Sequence, residues 1–518
     1  MAQWSWKSLS TYLLIVFGPN LYGEYAAPGV ADMEANIFEY IGTIGCNVVY
    51  FLYRCGVAFL PVTLWQLYKK TNGGKNFVVP ITCLIIAASM FVMRAIGRFQ
   101  NRRYMNMIKI VAEHNRNPND RAVLKKLFGN YNVSLRFVKG YKLNFPTTRP
   151  YVDEYKIDAK DDYITIILGS LAVHVIGRRM IFPGSLTPLK MVLQSTVNAE
   201  RAAFMTKNGS AGVERIPVCT RDGNVIDTIF VDQRKDRTCT LGKILVIVSD
   251  GNAGYCERGL CQSWIDAGYS TLAYNAPGCG ESTGTPYYDQ ICDAAEAVMV
   301  LAKQLGFNPE DICAYGWSIG GFASCWLAAN YPVRALILDA TFDSILPLAE
   351  STIFGAFPNI VRFAIGYYFN MNLSKLIERY SGPVTFIRRR YDEVIVTDRS
   401  NFVEACRSNR INFLFKDFLG ARYHFLKWSP LDDIVVEEWL DANDEQRRLW
   451  LSEDGMEREI YEYMPRDPDT ASELDPDERS YIVRRICLWH FIDLELTHNV
   501  TLPSIRCVLP DPIIPVDS

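Results

Sequence analysis

Histidine is scarce in this chain: His114, His174, His424, His490 and His498 are all there are in 518 residues. The fourteen cysteines form no CxxC pair, and no Cys/His cluster has the spacing of zinc ligands. That excludes a zinc-ribbon or finger module and gives no reason to assign a metal or cofactor. Scattered singly through apolar segments of a long chain, the cysteines read as reduced, buried thiols facing a reducing compartment rather than as a disulfide framework. An excess of one charge is also lacking, since 54 basic against 57 acidic residues leave a formal net charge of -3. Nucleic acid is therefore not an expected partner. The start of the chain offers only a short apolar run, Tyr12 to Phe17, without the length of a signal-peptide core. Internal repeats are absent.

What is present is apolar bulk, 49 % of residues, in a length suited to two to four domains or one large domain with extensions. Two long apolar runs lie in residues 1–104, which read as an N-terminal membrane region, with a buried helical hairpin of a soluble domain as the alternative. Residues 76–93 hold no ionisable side chain except Cys83, and about 18 to 20 helical residues cross the hydrocarbon core. Residues 43–68 are long enough too, although Arg54 sits mid-run, where a central arginine costs about 2.5 kcal/mol or more. The link of residues 69–75 is short, so two spans would form a hairpin. Arg94, Arg98, Arg102 and Arg103 after the second run favour a cytosolic catalytic domain, and Lys69, Lys70 and Lys75 in the link argue the other way.

Residues 105–214 read as a mainly helical, membrane-proximal connection. Within them 163–176 is apolar but too short to span; a membrane-surface helix flanked by Arg178 and Arg179 and a buried helix are both open. Residues 215–430 alternate short β-branched runs with helical periodicity. Strands are expected at 243–249, 270–274, 311–315, 335–338, 384–388 and 411–415, which implies a mostly parallel sheet with helices on both faces. Residues 431–518 turn acidic and read as an accessory, helical extension.

The chemistry centres on Gly316-Trp317-Ser318-Ile319-Gly320. This G-x-S-x-G lies between a strand and a helical run, the setting of a nucleophile elbow in the α/β-hydrolase fold. The glycines are needed because side chains flanking a strained nucleophile would strike the neighbouring strand or helix. An activated serine needs a base and an orienting acid, in the chain order Ser, Asp or Glu, His. Asp392, emerging after the 384–388 strand, is the expected acid; Glu393 competes, and Asp339 reads as a loop-capping residue. Of the histidines that follow, His424 stands just past the last expected strand and is favoured as the base, with His498 the alternative. His490, between aromatic residues, reads as a packed core histidine. The oxyanion needs two N–H donors, expected from Ile319 and from the loop at Asn252 and Ala253. No HxxxxD acyltransferase box occurs, so hydrolysis outranks acyl transfer.

Taken together, 177–185 (GRRMIFPGS), 250–254 (DGNAG), 275–284 (NAPGCGESTG), 315–322 (YGWSIGGF), 336–342 (LILDATF) and 382–395 (GPVTFIRRRYDEVI) resemble the membrane-bound phosphatidylserine lipases of the abhydrolase domain-containing group, type sixteen. The resemblance implies an integral membrane enzyme of the endoplasmic reticulum with a cytosol-facing site. It also implies cleavage of an acyl ester of phosphatidylserine to lysophosphatidylserine, with monoacylglycerol hydrolysis as a side activity and the lipid bilayer as partner. Ser318 and Asp392 carry over; His424 and His498 both stay open. Arginines 178, 179 and 388 to 390 could attract an anionic head group. The reading from another class is a membrane scaffold with a degenerate hydrolase fold.

Overall fold

The computed structural model describes residues 6–19, 24–26, 29–31, 35–58, 78–152, 162–209, 212–236, 239–258, 260–352, 357–452, 465 and 468–510. The chain divides into two compact units, Met1–Lys139 and Gly140–Ser518.

The first unit is helical: α1 (Trp6–Phe17), α2 (Ile37–Ala58), α3 (Val78–Gln100), α4 (Arg102–Arg116) and α5 (Arg121–Asn130). α2 and α3 run antiparallel and touch through glycines: a Cβ on Gly42 would meet the Arg94 backbone, and one on Gly45 would lie 2.5 Å from the Met90 side chain. Small residues at these points let the backbones approach. Arg98 is fully buried, with its guanidinium donating to Glu39 Oε1 (3.3 Å) and to the carbonyls of Ile15 and Gly18 (both 3.1 Å). The helices do not keep the boundaries of the expected spans. α2 starts at Ile37, before residue 43, and residues 59–68 lie outside the described residues; α3 runs on past 93 to Gln100, taking in Arg94 and Arg98. Asn101 caps the next helix by accepting from the Tyr104 N–H, so the basic cluster is split between two helices.

The second unit is built on an eight-stranded sheet: β1 (Val213–Arg215), β2 (Thr228–Val231), β3 (Leu245–Ser249), β4 (Ser270–Tyr274), β5 (Ile312–Trp317), β6 (Ala335–Asp339), β7 (Val384–Tyr391) and β8 (Phe491–Thr497). The order is β8-β7-β6-β5-β3-β4-β2-β1, parallel from β8 to β4 and antiparallel at β2 and β1. The central strands are buried on both faces, which explains why they read as continuous apolar runs without alternation. Flanking helices include α6 (the helical stretch Tyr163–Ile181), α7 (Thr187–Lys207), α8 (Tyr288–Gln304), α9 (Gly320–Asn330), α10 (Pro358–Tyr368), α11 (Arg410–Arg422), α12 (Pro430–Asp441) and α13 (Pro476–His490). The chain reverses direction of travel across the sheet between β3 and β5, and in open α/β sheets such a switch point opens a crevice at the strands' carboxyl ends.

Three expectations are corrected here. Residues 411–415 are not a strand but the start of α11, where Ile411, Leu414, Phe415, Phe418 and Leu419 are buried at helical spacing behind an Asn409 cap. Residues 431–518 are not merely accessory: β8 is the edge strand of the sheet, paired in parallel with β7 from Phe386↔Phe491 onward. Arg388 fastens that strand through Asp493 (2.7 and 2.8 Å) and reaches the Leu440 carbonyl (2.6 Å), while Arg447 adds a second guanidinium to Asp493 (2.7 Å). Residues 105–214 are not one connecting region, because the boundary between units falls at Lys139. The apolar run at 163 is also longer as a helix than as a sequence pattern: a π-turn, Val173–Gly177, carries it on to Ile181.

Candidate active site

The elbow is set by steric exclusion. Ser318 sits at φ 56°, a left-handed conformation strained for a residue with a Cβ. A Cβ on Gly316 would come within 2.6 Å of Gly321 Cα, and one on Gly320 would strike the Ser249 carbonyl, so both glycines are required by the close approach of β5, α9 and β3. Ser318 is held from both sides of its own peptide, its N–H donating to the Asp339 carbonyl (2.9 Å) and its carbonyl accepting from Thr341 Oγ1 (2.7 Å).

Asp392 and His498 meet the serine at the carboxyl edge of the sheet. His498 Nε2 lies 2.9 Å from Ser318 Oγ, and His498 Nδ1 lies 2.7 Å from Asp392 Oδ2. The second carboxylate oxygen accepts from the N–H groups of Val394 (2.8 Å) and Ile395 (3.0 Å), which aims the first at the ring. With its Nδ1–H donating a hydrogen bond to Asp392, His498 keeps Nε2 as the acceptor for the serine hydroxyl, the arrangement of a Ser-His-Asp triad. All three residues are buried.

The loop carrying the histidine is tied down separately. Arg389, fully buried, donates to the carbonyls of Thr497 (3.1 Å), His498 (2.6 Å) and Val500, while its other nitrogens pair with Asp339 (2.8 and 2.7 Å). Trp317 Nε1 also donates to the His498 carbonyl (3.2 Å), and Glu393 Oε2 accepts the His498 N–H (3.1 Å). Glu393 and Asp339 thus both have places beside the site: one on the histidine's backbone, the other as counter-ion to Arg389 and acceptor for Tyr315 (2.8 Å). Asp339 does not cap a loop. Arg388 and Arg389 are consumed by these buried pairs, so neither is free to receive a head group.

His424, the favoured base, is corrected to a surface position. It is exposed on the short turn His424–Leu426 after α11, its Nδ1 only 3.4 Å from the Ala421 carbonyl. The adjoining Arg422 donates to the carbonyls of Gly382 (3.1 Å) and Tyr380, which precede β7, whereas Asp392 follows it. Eight residues of strand separate the two ends, roughly 25 Å at about 3.3 Å per residue. A strand at 411–415 would deliver His424 to the carboxyl edge of the sheet; as the start of α11 the segment carries it to the other end. His490 is a packed histidine as expected, its Nε2 accepting from Tyr423 OH (2.7 Å) and its Nδ1 donating to the Val384 carbonyl (2.8 Å); burial pushes its pKa down to about 4.

The expected oxyanion loop borders the nucleophile. A Cβ on Gly251 would lie 3.5 Å from Ser318 Cβ and 3.1 Å from the Trp317 ring. Asn252 and Ala253 follow, with the Asn252 carbonyl accepting from the Gly184 N–H (3.3 Å). Ile319, directly after the serine, already has helical backbone angles and precedes the first residue of α9. Asp250, at the head of this loop, has its Oδ2 buried without a hydrogen-bond partner; burial first, and the charge of Glu257 second, raise its pKa to about 7. A carboxyl that keeps its proton near neutrality spares the site a negative charge next to the forming oxyanion.

A nucleophile elbow on this sheet, with an imidazole and a carboxylate in line behind it, defines a serine hydrolase of the α/β-hydrolase fold. The general α/β-hydrolase fold model matches residues 251–393, and the model of the phosphatidylserine lipase ABHD16 N-terminal domain matches residues 10–134. The chain belongs to that ABHD16 family: it is 31 % identical to the phosphatidylserine lipase ABHD16A of Bos taurus over 495 residues and to that of Homo sapiens over 492, in each case across 87 % of this chain and 86 % of the relative. An uncharacterized Caenorhabditis elegans protein, F37A4.1, is 34 % identical over 451 residues, covering 84 % of this chain and 88 % of its own length.

Proposed function

We propose that this chain is a membrane-bound lipase that hydrolyses an acyl ester of phosphatidylserine to lysophosphatidylserine and a fatty acid. The observation that carries the reading is the unbroken line from Ser318 Oγ through His498 to Asp392, at 2.9 and 2.7 Å; the substrate comes from the relatives' shared name. His498 takes the serine proton as Oγ attacks the ester carbonyl carbon. N–H groups of Ile319 and of Asn252 or Ala253 receive the oxyanion. Collapse breaks the bond to the lysophospholipid oxygen, which leaves with the proton from His498. Water, deprotonated by the same imidazole, then splits the acyl-serine ester and frees the fatty acid. A monoacylglycerol ester fits the same steps, and we assign it as the side activity.

The exposed apolar side chains of α2 and α3, among them Ile41, Ile44, Val48, Ile86, Val92 and Ile96, support burial of these helices in a bilayer. We place that anchor in the endoplasmic reticulum, as the family resemblance implies, and the catalytic unit on the cytosolic side, which the arginines after the second run favour. The scaffold reading has lost its one support, since a histidine does stand beside the serine.

The test is release of lysophosphatidylserine from phosphatidylserine proteoliposomes by the full chain and its Ser318→Ala variant. The variant is expected to lose about 10⁴- to 10⁶-fold in turnover. Activity surviving in Ser318→Ala overturns the mechanism, and equal turnover of phosphatidylcholine overturns the head-group assignment.

A further inference from the structure

Among the described residues, α6 (Tyr163–Ile181) is the one helix long and apolar enough to cross a bilayer, and few of its residues are buried. Its exposed side chains form a stripe rather than a sleeve. Ile164, Ile167, Leu168, Leu171, Val175 and Ile176 are between 43 % and 67 % exposed, and their spacing places most of them on one side of the helix. The opposite side is fixed to the catalytic unit. Gly169 is buried, with Phe363 of α10 packed where a side chain would stand, and Val173 is 1 % exposed. Tyr368 OH donates to Ser170 Oγ (3.1 Å), and Tyr287 OH lies 2.8 Å from His174 Nδ1.

A spanning helix would meet lipid around its whole circumference or pack against other spans. This one is bound along one side to a folded enzyme and bare along the other, the form of a helix lying in the plane of a membrane surface. Its charge is divided between its ends: Asp162 caps the start, while Arg178 and Arg179 stand at the end that leads into the site, and residues 163–199 contain no Asp or Glu. Arg179 is exposed at the end of the stripe. After Ile181 the chain turns directly into the site, where the Gly184 N–H donates to the Asn252 carbonyl (3.3 Å) and its carbonyl accepts from Tyr255 OH (3.2 Å).

We propose that α6 is the membrane-docking surface of the catalytic unit, lying along an anionic phospholipid bilayer with its apolar stripe among the acyl chains and the Asn252–Ala253 loop held next to the lipid surface. The docking deepens the lipase reading and explains how an ester embedded in a leaflet comes within reach of Ser318. It is a contact separate from the N-terminal anchor.

The experiment uses the full chain in phosphatidylserine-containing proteoliposomes with nitroxide-labelled lipids. An environment-sensitive fluorescent amino acid is placed at position 167, at 171, or at 235, an exposed turn at the end of β2 on the edge of the sheet opposite Ser318. Quenching at 167 and 171 but not at 235 is the expected result. Absence of quenching at 167 and 171, as when a second copy or another protein covers the stripe, overturns the docking. Quenching as strong in phosphatidylcholine alone overturns the anionic preference. The double variant Ile167→Ser/Leu171→Ser is expected to lose about tenfold in bilayer turnover with unchanged fluorophosphonate labelling and unchanged hydrolysis of soluble p-nitrophenyl butyrate. A parallel loss on the soluble ester assigns these side chains to stability and overturns the proposal. Because quenching is read without turnover, a chain that is quenched yet releases no lysophosphatidylserine keeps the docking and removes the lipase reading.

Discussion

Replacing Arg389 by methionine separates what holds the catalytic unit together from what aims its histidine. The guanidinium gives Nε and Nη2 to Asp339 and shares the two Nη1 hydrogens among the carbonyls of Thr497, His498 and Val500. In Arg389→Met the Asp339 carboxylate, fully buried, keeps only Tyr315 OH as a side-chain partner. An uncompensated buried charge costs about 3–5 kcal/mol, and each orphaned carbonyl adds about 1–3 kcal/mol. Against a typical domain stability of about 5–15 kcal/mol, the single variant should accumulate little folded protein. The double variant Arg389→Met/Asp339→Asn removes both charges, and deleting a buried pair as a whole is far milder than breaking it. Asn still offers an oxygen to Tyr315. The double variant is therefore expected to recover the stability lost to the unpaired charge, though not that lost with the carbonyl partners, and to leave its His498 loop unclamped. Misplacement of a reacting group by about 1 Å costs about 10²-fold, equivalent to about 2.7 kcal/mol of barrier. The assay is steady-state hydrolysis of p-nitrophenyl butyrate in detergent, alongside the thermal midpoint of fluorophosphonate labelling. A kcat lowered about 100-fold with KM unchanged, and a midpoint above that of the single variant, is the expected outcome. A folded double variant with wild-type kcat refutes the reasoning and leaves the loop to Glu393 and Trp317.

Two further outcomes follow from the same geometry. His498→Ala is expected to lower turnover by at least about 10⁴-fold, while His424→Ala, exposed at the far end of β7, stays within about twofold; the reverse pattern in a side-by-side ester assay removes the relay. His490 gives the chain an acid limit. Its pKa falls from 6.5 unfolded to about 4 folded through burial, so the stability it contributes is full above pH 6.5 and is lost as pH drops toward 4. Between pH 7.5 and 5 that loss is about 2 kcal/mol. The loss should vanish from the pH dependence of the unfolding midpoint in His490→Phe; an unchanged acid slope in that variant counts against the assignment.

The local sequence determined the nucleophile completely. Gly316, Ser318 and Gly320 are neighbours in the chain, and the strain at Ser318 and the contact of Gly316 with Gly321 belong to a single strand-turn-helix segment, although the Ser249 carbonyl that Gly320 must clear is brought there by the sheet. Asp392 was legible for a similar reason, since β7 is a long apolar strand and the acid follows its end. The base was not legible in that way, because its position depends on which later segment completes the sheet. Residues 411–415 and 491–497 are both short and apolar-rich, and period alone does not separate a buried helix turn from an edge strand. The alternation in Phe491-Ile492-Asp493-Leu494-Glu495-Leu496 was the signal available for β8 and for the histidine just beyond it. What decides between them is tertiary: Arg388 and Arg447 converge on Asp493, and β8 pairs with β7 more than a hundred residues away in sequence. The arginines at 388 and 389 show the same limit. A sequence presents them as a basic cluster open to an anion, and only the packed sheet, which buries them against Asp493 and Asp339, turns them into the struts that carry His498 to Ser318.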